Sequence, residues 1–95
     1  MPFNKNSPDH FQEDADFIKA MGHPVRLCIL YHLLTSETSN VGLMQKCMNI
    51  PQSTLSQHLS ILRYAGIVAG NRKRNQMIYR ISDQRAEQVL NIFIR

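Results

Sequence analysis

The chain has 95 residues, of which 43% are hydrophobic and 19% charged, and its net charge is +4. This composition is typical of one folded domain and excludes an intrinsically disordered chain. We therefore predict a single domain over residues 1–95, with residues 1–8 flexible. A chain this short buries only about 60 to 65% of its unfolded surface, so pairing with a second subunit would enlarge its core.

No apolar run reaches the roughly 18 residues that a membrane-spanning helix needs. The first residues, MPFNKNSPDHFQ, also lack the apolar segment of a signal peptide. The two cysteines, Cys28 and Cys47, form neither a CxxC pair nor a disulfide framework. We therefore expect a cytoplasmic protein with no membrane partner.

Two helices are predicted before residue 36. Ser7 is a candidate N-cap with Pro8 at the first helical position, which predicts a helix from about Pro8 to Met21. The segment GHP at residues 22–24 then interrupts the chain. The stretch PVRLCILYHLLT that follows is apolar on nearly all sides, which predicts a central core helix.

The next two helices are predicted to form a helix-turn-helix. Ser39 and Asn40 are candidate caps for a short helix, VGLMQKCMNI. Its predicted apolar face consists of Val41, Met44, Cys47 and Met48. A turn through residues 49–51 leads into the stretch QSTLSQHLSILRY, and Gly66 is the expected C-terminal stop of that helix.

The last third of the chain predicts a hairpin and a final helix. Met77, Tyr79 and Ile81 alternate as in a half-buried strand. Ser82 is a candidate cap for the last helix. The apolar stripe of that helix comprises Ala86, Val89, Leu90 and Phe93. The predicted fold class is α+β with the element order ααααββα.

The fourth helix has an outer face of Gln and Ser with almost no charge. Gln, Ser and Thr both donate and accept hydrogen bonds, as base edges in the major groove require, whereas a carboxylate would face phosphates unfavourably. The candidate base contacts are Gln52, Ser53, Thr54, Ser56, Gln57 and His58. Uncharged polar faces also occur on ordinary solvated helices, so this face alone leaves both interpretations open.

The charge of the chain is concentrated in its middle. Between Glu37 and Asp83 there are six basic residues and no acidic residue, which favours binding of a polyanion. The candidate wing and backbone contacts are Arg72, Lys73, Arg74, Asn75 and Gln76 in the hairpin, with Lys46 and Arg63 on the helices. A basic hairpin tip can also be a solvated turn that protects a sheet edge. Next to a helix-turn-helix, we favour a wing that contacts double-stranded DNA.

The segments MGHPVRLCIL, IPQSTLSQHLSILRYAGIV and IYRIS resemble the ArsR/SmtB family of winged helix-turn-helix repressors, and the resemblance extends from about Asp14 onward. It implies a homodimeric, operator-binding repressor that an inducer releases. It also implies that the helix from Gln52 is the recognition helix and that residues 72–76 lie in the wing. The first and last helices would form the dimer interface through Phe11, Ala15, Ile18, Ala86, Val89, Leu90 and Phe93.

The inducer sites of that family do not transfer to this chain. Many members carry a Cys-x-Cys pair where Asn40 and Gly42 stand here, and others place Asp and His ligands on the last helix, which has neither His nor Cys here. We therefore predict no metal and no cofactor, and the inducer stays unidentified. A related subgroup senses persulfides or oxidants, but Tyr31 stands where its first cysteine would align.

The sequence is therefore compatible with three functions. The preferred function is a sequence-specific DNA-binding repressor of a palindromic operator. The alternatives are a redox-switch repressor that uses Cys28 and Cys47, and a winged helix that binds protein. Such cysteines are more often small buried hydrophobes. An enzyme is not expected, since Ser56 and His58 are two apart on a helix and point apart.

Overall fold

The computed structural model describes residues 6–94, so most of the predicted flexible start lies outside them. A 3-10 turn at Pro8–Phe11 leads into five helices and one hairpin, in the predicted order. These are α1 (Gln12–Met21), α2 (Pro24–Ser36), α3 (Val41–Met48), α4 (Gln52–Tyr64), β1 (Val68–Lys73), β2 (Gln76–Ile81) and α5 (Gln84–Phe93). Within the described range, no helix combines the length and apolarity that crossing a membrane requires.

The helix starts correct the predicted caps in part. The first turn of the predicted first helix is 3-10, and Ser7 makes no side-chain cap bond. Asn40 caps α3 as predicted, since its Oδ1 accepts from the N–H of Leu43 at 2.9 Å. At α5 the cap is Asp83 rather than Ser82. The hydroxyl of Ser82 instead donates to the carbonyl of Gly66 at 3.0 Å, which ties the start of α5 to the end of the helix-turn-helix.

Helix α2 is the centre of the core, as the sequence predicts. Ile29, Leu30 and Leu33 are at most 1% exposed. The remaining core residues come from every other helix and from the hairpin: Phe17, Ala20, Met21, Met44, Leu55, Leu59, Leu62, Ile67, Val68, Tyr79, Ala86 and Leu90. Burial of these apolar side chains is the main force that fixes the relative positions of the helices.

The turn between α3 and α4 has three residues, 49–51, as expected for a helix-turn-helix. Asn49 ends α3 in the left-handed region with φ of 55°, a conformation that Asn tolerates well. At the other end of α4, Gly66 has φ of +75°. The N–H of Gly66 donates to the carbonyl of Arg63, and that of Ile67 donates to Leu62, both at 3.0 Å. This Schellman motif stops α4 where the sequence predicts.

Strands β1 and β2 form an antiparallel hairpin in which Lys73 pairs with Gln76, so Arg74 and Asn75 make a two-residue turn. The hairpin is held to the α2–α3 connection. The N–H of Tyr79 donates to the carbonyl of Ser39 at 2.8 Å, and the N–H of Ser39 returns a bond of 3.1 Å. A backbone ladder therefore joins the hairpin to the chain segment that precedes the helix-turn-helix.

Gly70 on β1 allows the close packing of the hairpin. It pairs with Tyr79, and a Cβ at this position would lie 2.8 Å from the methyl group of Met77 and 3.1 Å from the ring of Tyr79. The glycine therefore lets the buried Tyr79 ring lie directly across the neighbouring strand.

Candidate nucleic-acid interface

Packing of α4 determines which of its side chains face outward. Leu55, Leu59 and Leu62 are at most 1% exposed and direct one side of the helix into the core. The opposite side presents four exposed polar side chains in the first two turns: Gln52, Ser53, Ser56 and Gln57. The predicted division of α4 into an apolar and a polar face is therefore confirmed.

The polar side chains on this face form no hydrogen bonds with the rest of the described residues. Among residues 6–94, Gln52, Ser53, Ser56 and Gln57 make no side-chain hydrogen bond within the chain. Their donors and acceptors are consequently available to an external partner. We name this set the α4 outer face.

Thr54 and His58 differ from the other predicted base contacts. Both are half-buried on the flank of α4, one helical turn apart. The ring of His58 packs on the ring of His23 with centroids 4.3 Å apart, and its Nδ1 is buried without a partner. Burial, followed by the nearby His23 and Arg26, lowers the pKa of His58. The ring of His58 thus faces the start of α2, and its contact with DNA stays a prediction.

The hairpin carries the exposed basic group that the sequence predicts. Arg72, Lys73 and Arg74 are exposed, as are the neighbouring Asn75 and Gln76. Arg74 has φ of 59°, a region that side-chain-bearing residues rarely occupy. A glycine would fit this turn with less strain, so the sequence keeps a cation where backbone geometry favours glycine.

A cleft of mixed polar and apolar lining connects the hairpin with the start of α3, and the sequence did not reveal it. It has a volume of about 330 Å³, with Asn40, Val41 and Gly42 on one side and Arg72, Asn75 and Gln76 among the residues on the other. The positive end of the α3 dipole thus lies at the same cleft as a guanidinium group. That combination favours anions. The Asn40 cap was the only sequence signal for it.

Lys46 on α3 and Arg63 on α4 are also exposed. In the described part of the chain, the one ion pair joins Arg85 to Asp83 at 2.8 Å, so no carboxylate neutralises Lys46, Arg63 or the hairpin cations. All six basic residues of the acid-free segment are exposed. Their charge is available to a polyanion.

A second uncommitted surface lies on α1 and α5. Phe11, Ile18 and Phe93 are 49%, 64% and 78% exposed, and Ile92, which the sequence reading missed, is 70% exposed. Ile92 was missed because it lies outside the apolar stripe of its helix. A groove of about 240 Å³ between α1, α2 and α5 is lined only by apolar side chains and Gly22.

The predicted dimer contacts need correction at two positions. Ala86 and Leu90 are 0% and 1% exposed, so the core of their own chain already covers them, although Leu90 also lines the apolar groove. Val89 is half-buried and Ala15 is exposed. We define the α1/α5 apolar face as the exposed or half-exposed set Phe11, Ala15, Ile18, Val89, Ile92 and Phe93.

Arg85 links the two helices of this face. Its guanidinium lies 4.3 Å above the ring of Phe17 on α1 and bonds to the carboxylate of Asp83 at 2.8 Å. The hydrogen bond from Arg85 lowers the pKa of the Asp83 carboxyl. One exposed side chain thus connects the cap of α5 with the ring that anchors α1.

Both cysteines are free and exposed. The expectation that they are small buried hydrophobes is therefore wrong, and Cys47 does not share the buried side of α3 with Met44. In residues 6–94, no three His, Cys, Asp or Glu side chains cluster in a way that would hold a metal ion.

Known proteins resemble this chain in sequence and in fold. Residues 23–69 match the family described as bacterial regulatory protein, arsR family. The biofilm growth-associated repressor of Xylella fastidiosa is 40% identical over 83% of this chain and 68% of its own length. The transcriptional repressor PagR of Bacillus anthracis is 32% identical over 85% of this chain and 81% of its own length.

The fold likeness is equally extensive. The crystal structure of PagR superposes with a TM-score of 0.81 at 30% identity, covering 90% of this chain and 98% of that protein. NolR from Sinorhizobium fredii gives a TM-score of 0.83 at 32% identity, covering 97% of this chain and 91% of that protein. With the helix-turn-helix, the basic hairpin and these relatives together, the chain belongs to the ArsR family of winged helix-turn-helix transcriptional regulators.

Proposed function

We propose that the protein is a dimeric transcriptional repressor that binds a two-fold symmetric DNA operator in the cytoplasm. The observation that carries this proposal is the α4 outer face, which is exposed, polar, free of charge and without hydrogen-bond partners among residues 6–94. Repression, rather than activation, is supported by the names of the relatives from Xylella fastidiosa and Bacillus anthracis.

The α4 outer face reads bases in the major groove. Gln52 and Ser53 are in the first turn of α4, where recognition helices usually contact base edges, and Ser56 and Gln57 follow one turn later. Gln forms a two-bond contact with adenine, and Ser pairs with either base type. Thr54 contributes at most its exposed part, since it shares the half-buried flank with His58.

The hairpin binds the DNA backbone as a wing. Arg72, Lys73 and Arg74 supply the cations, and Asn75 and Gln76 supply neutral donors beside them. The cleft between this wing and the start of α3 accepts a phosphate, because it combines Arg72 with the positive end of a helix. Lys46 and Arg63 add contacts to flanking phosphates. These contacts give affinity and orientation, whereas α4 gives sequence preference.

A second copy of the chain covers the α1/α5 apolar face. Exposed aromatic and branched side chains that surround an apolar groove are typical of protein interfaces. A two-fold dimer through this face presents two α4 helices to one duplex. For both to enter successive major grooves, their half-sites must lie about 34 to 36 Å apart.

The proposal is tested by recovering bound sequences from a random pool of duplexes with the purified protein, with and without reductant. We expect an inverted repeat, two copies of the chain per duplex, and the same sequence in both conditions. A pool with no enriched sequence would contradict DNA reading and favour a protein-binding winged helix. Enrichment that appears only with reductant would identify Cys28 and Cys47 as a redox switch.

A further inference from the structure

Two histidines meet where the start of α2 packs against α4. The ring centroids of His23 and His58 are 4.3 Å apart, with an angle of 38° between the planes. His23 is also the N-cap of α2, because its Nδ1 accepts from the N–H of Val25 at 3.1 Å. This cap bond requires that Nδ1 of His23 carry no proton. The cap of α2 therefore depends on an unprotonated Nδ1 in one ring of this contact.

The surroundings of the pair are positive. Arg26 lies in the first turn of α2 and acts on His58 together with His23. The N-terminal end of α2 adds the positive end of its dipole. The Nδ1 of His58 is buried and has no hydrogen-bond partner. A proton added to His58 would thus place a second cation in a site that already holds one.

Helix α1, which also packs against α4, brings charges of both signs to this region. Helix α1 contributes Asp16 and Lys19 to the cleft of about 570 Å³ that Arg26 also lines. Asp16 already accepts from the side chain of Gln12 at 2.9 Å, and Lys19 brings another positive charge. Only His23 and Arg26 act electrostatically on His58.

The remaining elements packed against α4 bring no negative charge. The titratable residues of α3 are Lys46 and Cys47, and the charged residues of β1 are Arg72 and Lys73. All four are exposed. None of the titratable groups of α3 and β1 can therefore act as a counter-ion for a proton on His58.

We infer that His23 and His58 form a proton-sensitive joint that holds the recognition helix in place while the His58 ring is neutral and loosens it when that ring is protonated. Loosening changes the angle at which α4 meets the duplex, so DNA affinity falls as the solution is acidified. The DNA readout rests on the proposed function, whereas the coupling between the joint and the fold does not.

The direction of the effect follows from proton linkage. The pKa of His58 is lowered from its ordinary value of 6.5, so the unfolded chain binds this proton more readily than the folded chain. The stability that neutral His58 contributes is therefore present above 6.5 and is lost as the pH falls through the window below that value. The same proton favours any arrangement in which the two rings have separated.

The first test uses the full-length protein without DNA. Thermal unfolding is followed between about pH 7.5 and pH 5.5 at constant ionic strength, a window in which histidine titrates. We expect a fall in the midpoint for the parent and a smaller fall for His58→Gln. His23→Asn keeps a good cap acceptor and removes the ring on which His58 packs, so it should also reduce the fall. His32→Gln, outside the pair, serves as the matched control and should retain the parent response.

The second test measures the affinity for one selected duplex under the same conditions. We expect several-fold weaker binding by the parent at the acidic end, and no weakening by His58→Gln or His23→Asn. Tighter binding by the parent on acidification, as added positive charge alone would produce, would overturn the inference. So would an unchanged pH response of His58→Gln in both tests. If no duplex is bound at any pH, the proposed function is wrong. The pH dependence of thermal unfolding then remains as the test of the His23–His58 joint.

Discussion

Helices α4 and α5 are built alike on the inside and differently on the outside. Each directs a buried stripe into the core, with Leu55 and Leu59 on α4 and Ala86 and Leu90 on α5. The first two turns of α4 present uncharged polar side chains on the outside, whereas the last turn of α5 presents Ile92 and Phe93. Neither turn carries the highly charged surface of an ordinary solvated helix.

This difference shows that the buried stripe of a helix determines where it packs, and that the exposed side determines what it binds. An uncharged polar face with free donors and acceptors suits base edges, which offer both. An apolar face with two large exposed side chains suits another protein surface, because water is a poor solvent for it. The following changes test the two faces separately.

The largest effect is expected from Phe93→Asp. Removing a central aromatic anchor and adding a charge should cost the dimer about 2 to 4 kcal/mol, which raises its dissociation constant about 30- to 1000-fold. Because Phe93 is 78% exposed in the single chain, the chain itself should stay folded. Analytical ultracentrifugation measures the dimer, and circular dichroism checks the fold.

Tyr64→Asp is the matched control for this change. Tyr64 is 96% exposed at the end of α4 and does not belong to the α1/α5 apolar face. The same aromatic-to-acid replacement there should leave the dimer unchanged. A folded Phe93→Asp protein that still sediments as a dimer would place the interface elsewhere.

The next effect concerns the wing. Replacing Arg72, Lys73 and Arg74 together with Ala should lower DNA affinity for all sequences alike. The slope of log affinity against log salt should become less steep by about 0.9 for each lost phosphate contact. Fluorescence anisotropy at several salt concentrations measures the slope. Lys19→Ala on α1 is the control and should leave it unchanged, and an unaltered slope in the triple variant would exclude the wing from the backbone contacts.

A smaller effect is expected from Arg74→Gly. The positive φ of 59° is strained for Arg and not for Gly, so unfolding stability should stay the same or rise by up to about 1 kcal/mol. DNA affinity should nevertheless fall, because a cation is lost. Opposite signs in thermal unfolding and DNA binding would indicate that Arg74 is retained for its charge. A clear loss of stability would show that the Arg side chain supports the turn.

Much of the fold follows from local sequence signals. The spacing of Leu55, Leu59 and Leu62 predicts the buried side of α4, and Gly66 predicts its end, because each signal acts through neighbours on the same helix. The caps are less certain from sequence. Ser82 and Asp83 are both good cap residues, and only the bond from Ser82 to Gly66 in the structure leaves Asp83 as the cap.

The functional surfaces depend on contacts that are distant in the sequence. His58 reads as part of a polar helix face, and only its packing on His23 shows that it points to α2. In the same way, the helical pattern predicts Leu90 to be an interface residue, whereas the structure shows it buried by the packing of α5 in its own chain. An apolar stripe on a helix predicts that this side of the helix is buried, but it does not predict whether the same chain or a second chain buries it.

The central claim, that the α4 outer face reads bases, is tested most directly by comparing the sequences that the parent and Gln57→Ala select from one random duplex pool. A lost two-bond base contact costs about 1 to 3 kcal/mol of discrimination. We predict that Gln57→Ala loses preference at one position in each half-site, related by the two-fold axis, and keeps it elsewhere. Selected sequences identical to those of the parent would contradict the claim.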